Sequence, residues 1–426
     1  MTGEQRPGER VTPTFDVPSG SAADRTLVPG RAAGPDRGAR LDRVRQSNLA
    51  TVLGIVHTEG ARSRSGLTQA TGLNRSTIAA LVGELVELGL VTETEPEGLN
   101  RVGRPSPIVA PASRVVAFAV NPEIDSVTVG VVGLDGVVRQ RVRRETDGVP
   151  TALEAAALAA EVVAELRAGL DPTGFVVGVG VAVPGLVRAD EGLVRLAPHL
   201  GWVDEPFARQ LADVTGLPTR AQNDASLGAL AEARFGAGRG VDDLVYLNGG
   251  ASGVGGGVLI DGRPFSGRGG YAGEIGHTLV NSSGVRCHCG ATGCLETEVG
   301  QAELLAVTGL ARWQADELDA ALVAAPLGSP VAVEVARQVD QLAIALRNVV
   351  NTFDPELIVL GGFLGSLFGA APERLVAGVT AQALPGSRDD VRIVRAALGR
   401  DRLMIGAAER AFEALLADPA SAVRGA

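Results

Sequence analysis

All three cysteines of this 426-residue chain, Cys287, Cys289 and Cys294, fall within eight residues. The surrounding stretch, residues 272–296, also carries His277 and His288, two of only four histidines. Three thiolates and one imidazole fill the corners of a closed tetrahedral zinc site. Such a site keeps no corner for a reacting water, so its role is structural. Gly290 and Gly293 let the segment fold back and bring its donors together. The Cys-x-Cys spacing is not that of a zinc finger, and three unligated thiols are the alternative. Chance scatter would not gather the thiols this way in so Cys-poor a chain. His277 is the preferred fourth ligand, and His288, between two cysteines, is its competitor. With the cysteines committed to metal, no disulfide framework is left, and a reducing, cytoplasmic setting is expected.

Two glutamates bracket the cluster: Glu274, three residues before His277, and Glu296, two after Cys294. A metal that pins the loop also fixes both carboxylates, and fixed carboxylates suit the vicinal hydroxyls of a sugar. The whole string, AGEIGH followed by CHCGATGCLE, resembles the zinc and sugar motif of the ROK family, named for repressors, open reading frames and kinases. The resemblance implies that Glu274, His277 and Glu296 contact a sugar while His277, Cys287, Cys289 and Cys294 hold zinc. It also implies an α/β fold: a two-lobed actin-like, sugar-kinase-like (ROK) domain. In the family's repressors, an N-terminal winged helix-turn-helix precedes that domain.

The chain ahead of the motif fits this plan. Its length sets a prior of two or three domains. Residues 1–40 are rich in Pro, Gly, Arg and Asp without apolar pattern, and read as a disordered tail. Over residues 41–110, Val44, Leu49, Val52, Leu53 and Val56 form a helical stripe. Residues 65–72 read as a short capped helix closed by Gly72. Asn74 caps the next helix, with Ile78, Leu81, Val82, Leu85 and Leu88 on one face and Gly89 as its stop. Helix, glycine turn, helix is the helix-turn-helix pattern, with the second helix as reader. Its first turn offers Asn74, Arg75, Ser76 and Thr77 to phosphates and base edges. Residues 90–93 and 107–109 read as wing strands with Arg101 and Arg104 between them, the latter suited to a minor groove. The chain carries −10 overall, yet residues 40–75 hold six arginines against Asp42 and Glu59. A helical packing domain with solvated arginines is the alternative. The implied partner is operator double-stranded DNA, read by a homodimer or homotetramer because such proteins contact paired half-sites.

The body divides into an N-terminal lobe, residues 114–222, against which helix 403–416 packs back, and a C-terminal lobe, residues 223–402. Strands at 115–132 and 137–143 about an Asp135-Gly136 turn, a helix at 151–170 and a buried strand at 175–183 give the α/β alternation. The family's kinases hold nucleotide phosphates on the first hairpin turn. The matching place here is Asn121-Pro122-Glu123-Ile124-Asp125. Asn121 replaces the kinase Asp, Pro122 removes an amide donor, and Glu123 adds negative charge where phosphates would lie. The expectation is therefore no enzyme. Asp224, the kinase base by resemblance, becomes a vestigial base that accepts a sugar hydroxyl beside Asn223. His199, where the family often has Asn, either touches the ligand or caps a turn. Glycines 249–257 resemble a second phosphate loop, and residues 356–362 resemble the adenosine-side strand. No apolar run reaches the roughly 18 residues needed to span a bilayer, so no membrane partner is expected. The reading is a repressor of carbohydrate-metabolism genes released by a monosaccharide or derivative. The alternatives are a sugar kinase with a DNA-binding extension, and a ligand-independent DNA-binding dimer.

Overall fold

A computed structural model describes residues 37–95, 106–387 and 390–424, with side chains from residue 42 onward. Residues 1–36 of the tail expected over 1–40, and the wing arginines Arg101 and Arg104, lie outside the described residues. The described residues from Val44 onward form one compact unit, and everything that follows concerns it apart from the first turns of one helix.

That helix, α1 (Arg37–Glu59), starts inside the segment expected to be tail. Next come α2 (Arg64–Thr71), capped by the Ser63 hydroxyl and closed by Gly72 at φ 68, and α3 (Arg75–Glu87). The Asn74 side chain accepts the Thr77 N–H, as its capping role requires, and Ile78, Leu81, Val82 and Leu85 are buried. Strands β1 (Arg62–Ser63), β2 (Val91–Thr94) and β3 (Ile108–Pro111) form an antiparallel sheet in the order β1-β3-β2. Two residues carry no readable period, so β1 was invisible in the sequence.

No linker sets this unit apart. Leu49, Val52, Leu53 and Val56 of α1 share one core with Val115, Ala117 and Leu134 of the next sheet and with Met404, Phe412 and Leu415 of helix Arg402–Ala417, called the C-terminal helix below although the short helix Pro419–Arg424 follows it. Helix Arg402–Ala417 lies against strands Val115–Pro122 and Phe175–Val183 and helix Asp224–Phe235.

The first five-stranded sheet contains β4 (Val115–Pro122), β5 (Ser126–Gly133), β6 (Val138–Glu145) and β7 (Phe175–Val183), with strand Thr219–Asn223 on the edge beyond β7. The strand expected over 115–132 is really two, broken at residues 123–125. The Glu123 N–H donates to the Ser126 carbonyl, and its carboxylate accepts the Ser126 and Thr128 hydroxyls. The break was hidden because β4 and β5 are buried on both faces and so read as one apolar run. Helices α4 (Ala152–Ala168) and α5 (Phe207–Thr215) cover one face, and the C-terminal helix and the core of α1 cover the other.

The second sheet repeats this plan in the order Arg263–Pro264, Gly253–Ile260, Leu244–Gly250, Leu357–Gly362, Arg392–Arg395. The glycines expected to form a loop lie within its central hairpin, which Gly250 and Gly253 close. Helix α6 (Asp224–Phe235) runs between the lobes: Leu227 joins the core beneath α1, and Ala229 joins the core of Leu244, Tyr246 and Leu357. Among the described residues no helix is long and apolar enough to cross a membrane.

Candidate functional site

Both lobes contribute to a cavity of about 620 Å³. The start of α6 supplies Asn223 and Asp224, the helical turn Pro198–Leu200 supplies His199, and the second sheet supplies Asn248 and Ser252. Residues 272–296 add Glu274, His277, His288 and Glu296. Every residue expected to meet a sugar therefore lines one wall system, of a volume that suits a small ligand. Leu186, Leu196, Pro198 and Val254 give it an apolar side on which a sugar ring can lie. Among the described lining residues none is an arginine.

The polar groups differ in how much capacity they keep. Asn223 accepts the Ser226 N–H at 2.9 Å and donates to the Gly185 carbonyl at 3.0 Å. It caps α6 and ties it to the opposite lobe, with one amide hydrogen left for a ligand. Asp224 accepts the Ala225 N–H at 2.8 Å, and its own backbone amide adds a weaker contact. Burial pushes its carboxyl up to about 6, with Glu274 adding to the rise and the Ala225 amide and Arg402 opposing it. Burial also raises Glu274, with Glu296 adding to the rise and His277 opposing it. These are acceptors in want of donors.

Beside the cavity, His277, Cys287, Cys289 and Cys294 place their donor atoms within 4.8 Å of one another. The Cys289 and Cys294 sulfurs are 3.7 Å apart, and Cys287 Sγ lies 3.6 Å from His277 Nδ1. Tetrahedral bonds of about 2.3 Å to sulfur and about 2.0 Å to nitrogen require separations of about 3.8 Å and about 3.6 Å. The cluster fits a metal ion. His277, His288 and Glu296 form an overlapping group, with Glu296 Oε1 at 3.4 Å from His277 Nδ1 and 3.1 Å from His288 Nδ1. One Nδ1 cannot serve both groups, and the thiol set is the complete tetrahedron. His288 then faces the cavity, its ring 6.1 Å from that of His199. With Nδ1 toward the cysteines, His277 keeps Nε2 toward Glu274, whose carboxylate oxygen is 4.0 Å away.

The loop geometry explains its glycines. Gly293 has φ +71, and a Cβ there would stand 1.6 Å from the Asn281 carbonyl. Glu298, which the sequence reading missed, is 8% exposed and accepts the Asn281 amide and the Val285 N–H. Asn248 was also missed, although a polar residue directly after the apolar run 244–247 was a usable signal.

At the other end of the chain, Asn74 Oδ1 takes the Ser76 hydroxyl at 2.7 Å and the Thr77 N–H at 2.9 Å. Asn74 and Ser76 are thus engaged by the helix cap. Arg75 is exposed and lines a groove of about 610 Å³ with Arg64, Ser65, Thr68 and Ser106. The basic surplus counted along the chain shrinks in space. Arg45 pairs with Glu84 and Arg64 with Glu93, so acids that follow in sequence return to two of the arginines, while Arg62 pairs with Glu59, already in the count.

Comparison with known proteins gives this arrangement a lineage. A xylose repressor of Caldicellulosiruptor bescii is 30% identical over 355 residues, which cover 76% of this chain and 86% of the repressor. A glucokinase of Thermotoga maritima is 31% identical over 66% of this chain and 92% of the kinase. A crystal structure described as a ROK family transcriptional regulator, homologous to the E. coli MLC protein, superposes with a TM-score of 0.74. It is 25% identical and covers 90% of this chain and 100% of its own. Residues 122–413 match the sequence profile of the ROK family, and with the paired lobes and the cavity between them they establish that the chain belongs to that family.

Proposed function

We propose that this protein is a sugar-responsive, DNA-binding transcriptional repressor. One observation carries the reading. The solved regulator covers 90% of the chain, more than residues 114–426 can supply, so its likeness extends into the helix-turn-helix segment. The glucokinase likeness is short enough to fit within the lobes.

The cavity favours a neutral monosaccharide or derivative as effector. Asp224, Glu274 and Glu296 offer three carboxylates with no arginine on the described wall, which suits hydroxyl donors and opposes a phosphorylated sugar. A hydroxyl donated to a charged acceptor contributes about 1.5–3 kcal/mol. His277 Nε2, Asn223 and His199 add polar contacts, and structural zinc on His277, Cys287, Cys289 and Cys294 holds the loop that carries Glu274 and Glu296. Arg75 and Thr77 face operator DNA, with Asn74 and Ser76 serving the helix cap. A homodimer or homotetramer presents two reading helices to paired half-sites. Sugar held between the lobes favours a closed state, and the effector releases DNA to the extent that it binds that state more tightly. The protein acts in the cytoplasm.

Thermal unfolding with D-xylose, D-glucose, N-acetyl-D-glucosamine and their phosphates, run on wild type and Glu274→Ala, tests this. The expected result is a shift from one neutral sugar that the variant lacks, followed by release of duplex DNA by that sugar. A shift from phosphosugars alone would sink the ligand assignment.

Asp224 favours a second reading, a sugar kinase, because a buried carboxyl raised to about 6 is poised as a base. Against it, the Glu123 carboxylate occupies the hairpin turn where phosphates would bind, held by Ser126 and Thr128. The expected outcome with Mg-ATP and the same sugars is no turnover. Turnover lost on Asp224→Asn would restore the kinase.

A further inference from the structure

A buried charged cluster lies outside the ligand cavity and the metal site. His57, near the end of α1, and Glu409, on the C-terminal helix, are each 1% exposed. His57 Nε2 stands 3.1 Å from both oxygens of Glu409, and Nδ1 faces the Leu134 carbonyl just past β5. Arg234 of α6 pairs with the same carboxylate, and the ring of its neighbour Phe235 meets the His57 ring edge-on at 5.2 Å. Four elements, α1, β5, α6 and the C-terminal helix, therefore meet at one imidazole.

The far end of α6 is the cavity. Asp224 is its first residue and Phe235 its last, a span of about 18 Å at 1.5 Å per residue. Its neighbours leave no room for it to slip. A Cβ at Gly406 would stand 2.3 Å from the Leu227 carbonyl, and one at Gly257 would stand 2.6 Å from the Ala229 methyl. Near its end, fully buried Glu232 accepts the N–H groups of Ala237, Ala397 and Leu398, which fastens α6 to the approach of the C-terminal helix. A helix packed this closely on both lobes moves as a body when the lobes move. At its end an apolar contact would let α1 slide, whereas a buried, directional ion pair holds one register.

We infer that α6 is the rod that carries the ligand response, and that His57, Glu409 and Arg234 form the joint through which a sugar at Asp224 repositions α1 and the DNA-reading helices fused to it. This rests on the sugar and DNA assignments above, but neither assignment requires it.

Hydrogen–deuterium exchange of the full chain, with D-xylose, D-glucose or N-acetyl-D-glucosamine added, separates these claims. In wild type, the sugar that protects residues 184–199 and 272–296 also changes exchange in residues 49–59 and 75–87, by about twofold or more. In Arg234→Met, cavity protection persists and the change at 49–59 falls to less than half, while Arg234→Lys restores part of it. If Arg234→Met fails to fold, Phe235→Leu gives the same comparison. An α1 response equal in wild type and variant overturns the joint. A protected cavity with α1 silent in wild type overturns the rod and leaves sugar binding intact. No protection by any of the sugars overturns the sugar assignment itself, and the coupling with it.

Discussion

Two carboxylates, half-buried Asp224 at the start of α6 and Glu409 packed against its far end, have opposite fates. Glu409 is nearly sealed from solvent, and burial alone would raise it, yet the charges of His57 and Arg234 outweigh burial and hold it at about 2. Asp224 has the backbone amides of Ala225 and of its own residue and the charge of Arg402, and burial wins, lifting it to about 6. The environment that costs a charge its water is the same in kind, and partners decide the outcome. Where the protein supplies both partners, the carboxylate is part of the frame. Where it supplies too few, the missing donor belongs to a ligand.

The largest test of this contrast is Glu409→Ala. It strands His57 and Arg234 without their countercharge, and removing one member of a buried ion pair costs about 3–5 kcal/mol. Urea unfolding at pH 7.5 measures the loss, and Asp224→Ala is expected to show none of comparable size. A Glu409→Ala protein within about 1 kcal/mol of wild type would erase the difference between the two sites. The pH dependence has a definite sign. Glu409 is depressed on folding, so its contribution is present above its unfolded value of 4.5 and disappears as pH falls from there toward about 2.

The next effect divides the cavity from the joint by their dependence on metal. Glu274 and Glu296 stand on the loop held by the cysteine–histidine cluster, whose apolar residues join a different core from that of the helices carrying His57 and Glu409. Chelation, or Cys294→Ser, is expected to remove one zinc per chain by atomic absorption. Sugar affinity then drops about 10–100-fold, the usual range when a metal site's support is lost. Duplex affinity in the absence of sugar is expected to hold. Unchanged sugar binding by the zinc-free protein would detach the cavity from its loop.

The two ends of α6 were also unequally legible in sequence. The metal cluster announced itself because its chemistry is local, with cysteines, glycines and glutamates packed into residues 272–296, whereas Asn223 and Asp224 could be singled out only through the family resemblance. The joint gave no such sign. His57 follows an apolar stripe where one imidazole looks incidental, and Glu409 sits 352 positions later. Only the packing of α1 against the C-terminal helix brings them together. The same limit misled the charge count around α3, because pairings such as Arg64 with Glu93 exist only after the sheet beside α2 has formed. Periodicity located α1, α3, α4 and the C-terminal helix, since each shows one apolar face or a clear cap. It missed the turn between β4 and β5, where burial on both faces removes the alternation that marks a strand's end.

The smallest effect is the most discriminating, because its sign is opposite to that of a typical core mutation. Asp224 has a folded-state value near 6 against 3.8 unfolded, so the folded state binds its proton more tightly. The stabilisation from that proton is complete below about pH 4 and is lost as pH rises through 6; at pH 7.5 the ionised carboxylate is a net cost. Asp224→Asn keeps the shape and the bond to the Ala225 N–H while removing the charge. After discounting for the side chain's partial exposure, the gain at pH 7.5 is on the order of 1–2 kcal/mol, fading toward zero near pH 4. Thermal unfolding at the two pH values measures it. The same variant is expected to bind sugar about tenfold more weakly, because a charged acceptor has become a neutral one. A variant that is less stable than wild type at neutral pH would mean that Asp224 already has a partner within the fold. It would then be a second frame carboxylate like Glu409, and the cavity would lose its strongest claim to a ligand.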